Sequence, residues 1–190
     1  IDPVATSVDV TGFTGSANRS VTLGTIDASE LEAGDKLQVS FTASYSGLTV
    51  ASGQTGSAVL QGYGDVTAWS PEFPRGSKVN WTGTGTTTYS YTTSALTSSL
   101  ATNNKFTVQL RTDYYTGGKI TVTNLKVKKV RTKTVSKQYG TELGTLPTTT
   151  ESGYTFDGWY TAATGGTKIS STTKVTGTTT YYAHWTPVNY

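Results

Sequence analysis

Residues 36–45 read KLQVSFTASY. Leu37, Val39, Phe41, Ala43 and Tyr45 fall on one parity and Lys36, Gln38, Ser40, Thr42 and Ser44 on the other, so an extended chain sends its apolar groups to one face and its polar groups to the opposite one. This is a half-buried strand. The pattern recurs at Phe106, Val108 and Leu110 against Thr107, Gln109 and Arg111. It begins a third time at Ile120 and Val122, then changes phase at Leu125 and Val127, which predicts a bulge at Thr123 or Asn124. Residues 7–10, 20–26, 56–63, 65–69, 78–83 and 87–92 are further strand candidates, separated by Gly and Ser clusters such as Ser52-Gly53-Gln54-Thr55-Gly56. Only Ala28 to Glu32 reads as a helical turn. Short strands, regular turn signals and abundant Thr and Val predict a mainly-β chain whose first 130 residues form a β-sandwich.

The 190 residues allow one or two domains, and the change of character near residue 130 favours two, 1–130 and 131–190. The net charge of +3 is unevenly spread: residues 1–125 hold seven Lys and Arg against nine Asp and Glu, whereas residues 126–190 hold eight against three. Lys126, Lys128, Lys129, Arg131, Lys133 and Lys137 make up most of the excess. Aromatic residues are not interleaved with them, which argues against nucleic acid and for a solvated edge strand. No run approaches the roughly 20 apolar residues of a membrane span, so membrane insertion is not expected. The opening IDPVATSVDV has neither the basic start nor the apolar centre of a signal peptide, and the chain reads as a piece of a longer protein with covalently linked neighbouring domains.

Residues 139–185 carry a second, more specific pattern: Gly153-Tyr154-Thr155-Phe156-Asp157-Gly158-Trp159-Tyr160, then Gly165-Gly166-Thr167-Lys168, then Tyr182-Ala183-His184-Trp185. These spaced motifs strongly resemble the Listeria-Bacteroides repeat, also called the internalin B repeat. The resemblance implies a small β-grasp (α+β) module of bacterial surface and secreted proteins, and hence an extracellular or cell-surface location. Where that family usually opens with a strand ending in Asn-Gly-Gly, this chain has Val130-Arg131-Thr132-Lys133. Trp159, Trp185 and His184, with Tyr154, Phe156 and Tyr182, are read as serving the module's own structure.

Two passages of the first domain resemble the jelly-roll carbohydrate-binding modules attached to bacterial polysaccharide-degrading enzymes. They are Leu31 to Ala43 and the stretch from Trp81 through Thr107-Val108-Gln109-Leu110 to Lys119–Val127. That resemblance implies a jelly-roll-like β-sandwich. Asn124 stands where those modules commonly carry Asp. The resemblance also permits a structural calcium ion, but no compact acidic loop appears and no ligands can be named.

With no Cys and one His, nucleophilic and metal chemistry have almost no material, and the carboxylates cluster at turns. A non-catalytic chain without cofactor is expected. What remains are aromatic residues in Thr-rich surroundings, the groups that bury the C–H face of a sugar ring. Trp69 lies on the parity opposite Val66 and Ala68, and Tyr114 and Tyr115 precede Gly117-Gly118 where no core periodicity accounts for them. Tyr63 shares the parity of Gln61. Gln61, Gln109, Arg111 and Asp113 are hydrogen-bonding candidates beside them. Trp81, on the parity of Val79, and Tyr45 read as core, and Tyr89 and Tyr91 fit either cross-strand packing or stacking. The expected function is binding of a neutral polysaccharide by a monomeric module. The alternative is an adhesin fragment whose aromatics contact a protein.

Overall fold

The computed structural model describes residues 6–9, 18–65, 70–73, 75–101 and 105–189. It divides into two compact units, Ile1–Thr132 and Lys133–Tyr190. The first holds β1 (Thr6–Asp9), β2 (Asn18–Asp27), β3 (Lys36–Val50), β4 (Ser57–Asp65), β5 (Ser70–Phe73), β6 (Gly83–Thr92), the one-turn helix α1 (Ser98–Ala101), β7 (Lys105–Asp113) and β8 (Tyr115–Val130). The second holds β9 (Tyr154–Tyr160) and β10 (Tyr182–Pro187). The mainly-β class read from the sequence is the observed one.

In the first unit β1 pairs with β8, β2 with β7, β3 with β6 and β4 with β5, all antiparallel. This nested pairing is that of one long hairpin. Contacts of β8 with β3 and of β7 with β4 roll it into two four-stranded sheets, β1-β8-β3-β6 and β2-β7-β4-β5. The result is a jelly roll. Between the sheets lies one core, to which β3 gives Leu37, Val39, Phe41 and Ala43, β7 gives Phe106, Val108 and Leu110, and β8 gives Ile120, Val122, Leu125 and Val127. Each fully buried aliphatic or aromatic side chain contributes about 1.5–3 kcal/mol.

The phase change in β8 is a bulge. Ser40 faces Lys126 while Thr42 faces Thr123, so β8 has one residue more than β3 between those pairs, and Asn124 sits in the left-handed region at φ 52°. Asn tolerates that conformation better than most residues. At the other end β3 and β8 cross closely: Gly118 is at φ +96°, and a Cβ there would lie 2.7 Å from the carbonyl oxygen of Gly47. Only glycine fits.

The segment 28–35, expected to hold a short helical turn, is instead a pair of tight turns, closed by Leu31 N–H to Ala28 O and Asp35 N–H to Glu32 O. Asp35, buried, fixes it to the end of the sandwich. Arg131 donates from Nε to Asp35 Oδ1 and from Nη2 to Oδ2, both at 2.7 Å, and Nη2 also reaches the Glu30 carbonyl at 3.0 Å. The expected strand over 65–69 falls largely outside the described residues. That over 78–83 reduces to a single bridge between Val79 and Ala58 before β6 begins.

In the second unit β9 and β10 form an antiparallel pair. Phe156 packs against Trp159 and Trp185, with ring centroids 5.5 and 5.2 Å away, and Trp159 Nε1–H donates to the Pro147 carbonyl at 2.6 Å. Residues 140–144 and 171–175 run side by side through backbone hydrogen bonds, among them Gly140 N–H to Val175 O and Leu143 N–H to Thr173 O. The helix implied by an α+β grasp has no counterpart among this unit's described residues. Gly140, Gly144, Pro147 and the Thr run after it are poor helix formers.

Candidate functional site

The sheet β2-β7-β4-β5 has a polar face turned away from the core. Because β7 sends Phe106, Val108 and Leu110 inward, strand alternation turns Thr107, Gln109, Arg111 and Asp113 to the other side. Register extends these into cross-strand rows: Asp113 between Asn18 and Ser57, Arg111 between Ser20 and Val59, Gln109 between Thr22 and Gln61, Thr107 between Thr25 and Tyr63. Tyr63, Gln61, Gln109, Arg111 and Asp113, picked out separately in the sequence, thus share one sheet face.

They do not form the open platform that the sequence suggested. Gln61 is 1% exposed, Asp113 5%, Tyr63 6% and Gln109 7%. Gln61 Nε2–H donates across β7 to Ser20 Oγ at 3.1 Å. Its Oε1 and that of Gln109 are buried without a hydrogen-bond donor. Leaving a buried acceptor unpaired costs about 1–3 kcal/mol, so the pair is an unfilled demand for donors.

Two rows along, Asp113 is a buried carboxylate held by charge. Arg111 Nε–H donates to Oδ1 at 3.1 Å, Lys78 Nζ–H to Oδ2 at 2.7 Å and Ser57 Oγ–H to Oδ2 at 3.3 Å. Burial by itself would raise the Asp113 pKa, but the hydrogen bonds and positive charges of Lys78 and Arg111 outweigh it and keep the carboxyl below its usual range. Arg111 remains partly accessible and Lys78 more so. Lys78, Ser57 and Ser20 were not among the sequence candidates. Lys78 has a legible signal, since it lies on the parity opposite Val79 and Trp81.

Tyr115 is a correction. It is not a loop ring open to a sugar but the first residue of β8, 2% exposed, with its ring against Gly56, where a Cβ would collide with it. The turn is concentrated in one residue, Tyr114, at φ 65°, an uncommon conformation for a bulky side chain. Strand geometry therefore resumes at 115 and directs that ring inward. Tyr114 itself is half-buried and adjoins Asp113 at the end of the polar face, and its carbonyl accepts the Ala51 N–H at 2.9 Å. Tyr63 is likewise too enclosed to offer a stacking face. Trp69 lies outside the described residues.

The remaining aromatics sort by packing. Trp81 is buried, stacked on Tyr45 at 5.4 Å, and its Nε1–H donates to Tyr89 OH. Tyr89 stacks on Phe41 at 5.2 Å, and Tyr91 is half-buried, so both serve cross-strand packing. In the second unit His184 stacks on Tyr160 at 3.9 Å with Nε2 2.9 Å from the Ala162 carbonyl, a structural placement. Tyr154 and Tyr182 depart from the expectation of a packed role. They sit near the ends of the β9–β10 pair, 48% and 40% exposed. Among the described residues no three His, Asp or Glu side chains converge as a metal site.

No curated protein and no solved structure matches the chain. Residues 114–184 match the family model of the Listeria-Bacteroides repeat domain, beginning one residue before β8 and running to His184 in β10.

Proposed function

We propose that the first unit is a non-catalytic polysaccharide-binding module of a secreted or cell-surface bacterial protein, and that it takes a neutral glycan along the polar face of β2-β7-β4-β5. The observation that carries this reading is the pair of buried amide oxygens, Gln61 Oε1 and Gln109 Oε1, with no donor. Sugar hydroxyls are donors of the right size; with Gln61 1% and Gln109 7% exposed, they reach these oxygens only where the ligand displaces what covers the face. Arg111 lies beside the Gln row, and the half-buried Tyr114 at the face's end offers a ring to a sugar's C–H side. Lys78 and Asp113 fix the Arg111 guanidinium, so the wall is arranged before ligand arrives. Trp69 is a further stacking position in this reading. The repeat-bearing second unit serves as a spacer or anchor-side module.

Because charges on the face are already paired, binding should be weak, insensitive to salt and stronger for longer chains. Affinity electrophoresis through gels containing soluble glucans, mannans or xylans tests it, with wild type beside Gln109→Ala, Tyr114→Ala and Trp69→Ala. At least one polysaccharide should retard the wild type, and Gln109→Ala and Tyr114→Ala should run freely in it. Equal retardation of wild type and Gln109→Ala would remove the amide row from the site. No retardation by any glycan, with salt-sensitive capture of a protein ligand, would favour an adhesin instead.

A further inference from the structure

Four strands end the two sheets of the first unit, and three of them carry features that discourage a further strand. β1 and β5 are four residues long, and β5 includes Pro71, which has no N–H to offer. β2 breaks register between Thr22 and Gly24 and carries Arg19 and Asp27. β6 has neither charge nor proline among its ten residues, GTGTTTYSYT, and its pairing with β3 shifts only at its start, between Gly83 and Gly85. From Gly85 to Thr92 the register is unbroken. Thr93 N–H, just beyond its end, donates to Leu37 O at 2.9 Å. By alternation the odd-numbered residues of β6 turn their backbone groups toward β3, and Thr84, Thr86, Thr88, Ser90 and Thr92 turn theirs outward. Among the described residues no backbone group outside β3 hydrogen-bonds to the backbone of this strand.

We propose that β6 is a docking edge for a second copy of this chain, joined antiparallel across a two-fold axis at Thr88. This register places Thr88 opposite Thr88 of the second copy, Thr86 opposite its Ser90 and Thr84 opposite its Thr92. Even-numbered residues then meet even-numbered residues, so outward N–H groups face outward C=O groups along the whole overlap. The side chains agree with the backbone. On the exposed face the hydroxyl pairs Thr42–Thr88 (3.3 Å) and Ser44–Thr86 (3.0 Å), which already link β3 to β6, continue into the partner strand. A self-paired edge sets every residue against its own symmetry mate's surroundings, so a charge anywhere on it risks facing a like charge. β6 is the long edge without one.

The absence of cysteine makes single-cysteine variants clean reporters. Hydrogen-bonded antiparallel pairs hold their Cα atoms about 5.5 Å apart, within disulfide reach. Oxidised Thr88→Cys should form a covalent dimer, whereas Ser90→Cys should not, since its opposite number is residue 86. A single strand pair buries less than the roughly 1,200–2,000 Å² of stable interfaces, so sedimentation velocity of the wild type should show a monomer–dimer equilibrium only as concentration rises. Thr88→Lys should remain monomeric at the same concentrations with unchanged melting. A wild type that stays monomeric throughout overturns the proposal, whatever other strand the edge accepts. So does a Thr88→Lys protein that dimerises like wild type, or Ser90→Cys cross-linking as readily as Thr88→Cys. Glycan binding uses the other sheet, and its failure would leave these results untouched.

Discussion

The phenol of Tyr115 satisfies both backbone groups of Trp81: it accepts the Trp81 N–H at 3.0 Å and donates to the Trp81 carbonyl at 2.9 Å. Both residues are 2% exposed, and 34 positions separate them in the chain. One hydroxyl thereby ties the start of β8 to the segment entering β6. Tyr115→Phe should remove both bonds and leave a buried N–H and C=O unpaired, lowering stability by about 1–3 kcal/mol in urea unfolding. Glycan retardation by the folded protein should persist. Loss of glycan binding without loss of stability would return Tyr115 to the binding site.

Acid should weaken the first unit through two carboxylates. Burial pushes the Asp35 pKa upward, but the hydrogen bonds from the Arg131 side chain and the Glu32 N–H, with the Arg131 and Lys129 charges, bring it below 3.8, and Asp113 is lowered in the same sense by Lys78 and Arg111. A folded pKa below the unfolded one gives stability that is present above 3.8 and is lost as pH falls through the folded value. Unfolding midpoints should hold from neutral pH to about 5 and then decline steeply. Asp35→Asn should flatten that decline while lowering the neutral-pH midpoint. An unchanged acid slope in Asp35→Asn would sink the assignment.

Alkali should act through Tyr91. Burial raises its phenol, offset only in part by the Gly76 backbone, to about 12 from the ordinary 10.0. Here the folded value exceeds the unfolded one for a group that becomes an anion, so the neutral form favours the fold and stability drains away as pH climbs from 10.0 toward about 12. Tyr91→Phe should keep its midpoint further into that window than wild type does. Parallel curves for the two proteins would contradict this.

Trp159→Ala should act on the second unit alone. The substitution removes the ring packed on Phe156 and the hydrogen bond to Pro147 O. Aromatic-to-alanine changes in cores cost about 3–5 kcal/mol, and a half-buried ring should fall toward or below the low end. Calorimetry should show the second unit's transition moved down and the jelly roll's unmoved. A single shifted transition for the whole chain would mean that the units unfold as one.

Much of the sandwich is legible because burial on one face of a strand leaves a period of two in the sequence. Leu37 to Ala43 and Phe106 to Leu110 are such records, and the phase change after Val122 marks the bulge at Asn124. Nesting β1 with β8 and β2 with β7 joins residues a hundred positions apart, and local periodicity carries no trace of that. Tyr115 misled for a related reason. Next to Tyr114 and ahead of Gly117-Gly118 it resembles a loop residue, and its inward direction depends on the left-handed backbone at Tyr114 and the space left by Gly56. The polar face was visible as separate residues, because Gln61, Gln109 and Arg111 each oppose a core parity. Their enclosure was not, since nothing in an alternating strand says what lies over its polar side.

The pairing of β1 with β8 bears on how the sandwich carries load. Thr6 faces Val122 and Asp9 faces Lys119, so the leading end of β1 and the trailing end of β8 point the same way. Tension applied at Thr6 and Val130 therefore draws on the two strands from one side, and their hydrogen bonds are strained in succession rather than together. A protein tethered through these ends should peel, β1 first, at low force. In a single-molecule pulling experiment its extension should begin with a short step matching β1 before the jelly roll gives way.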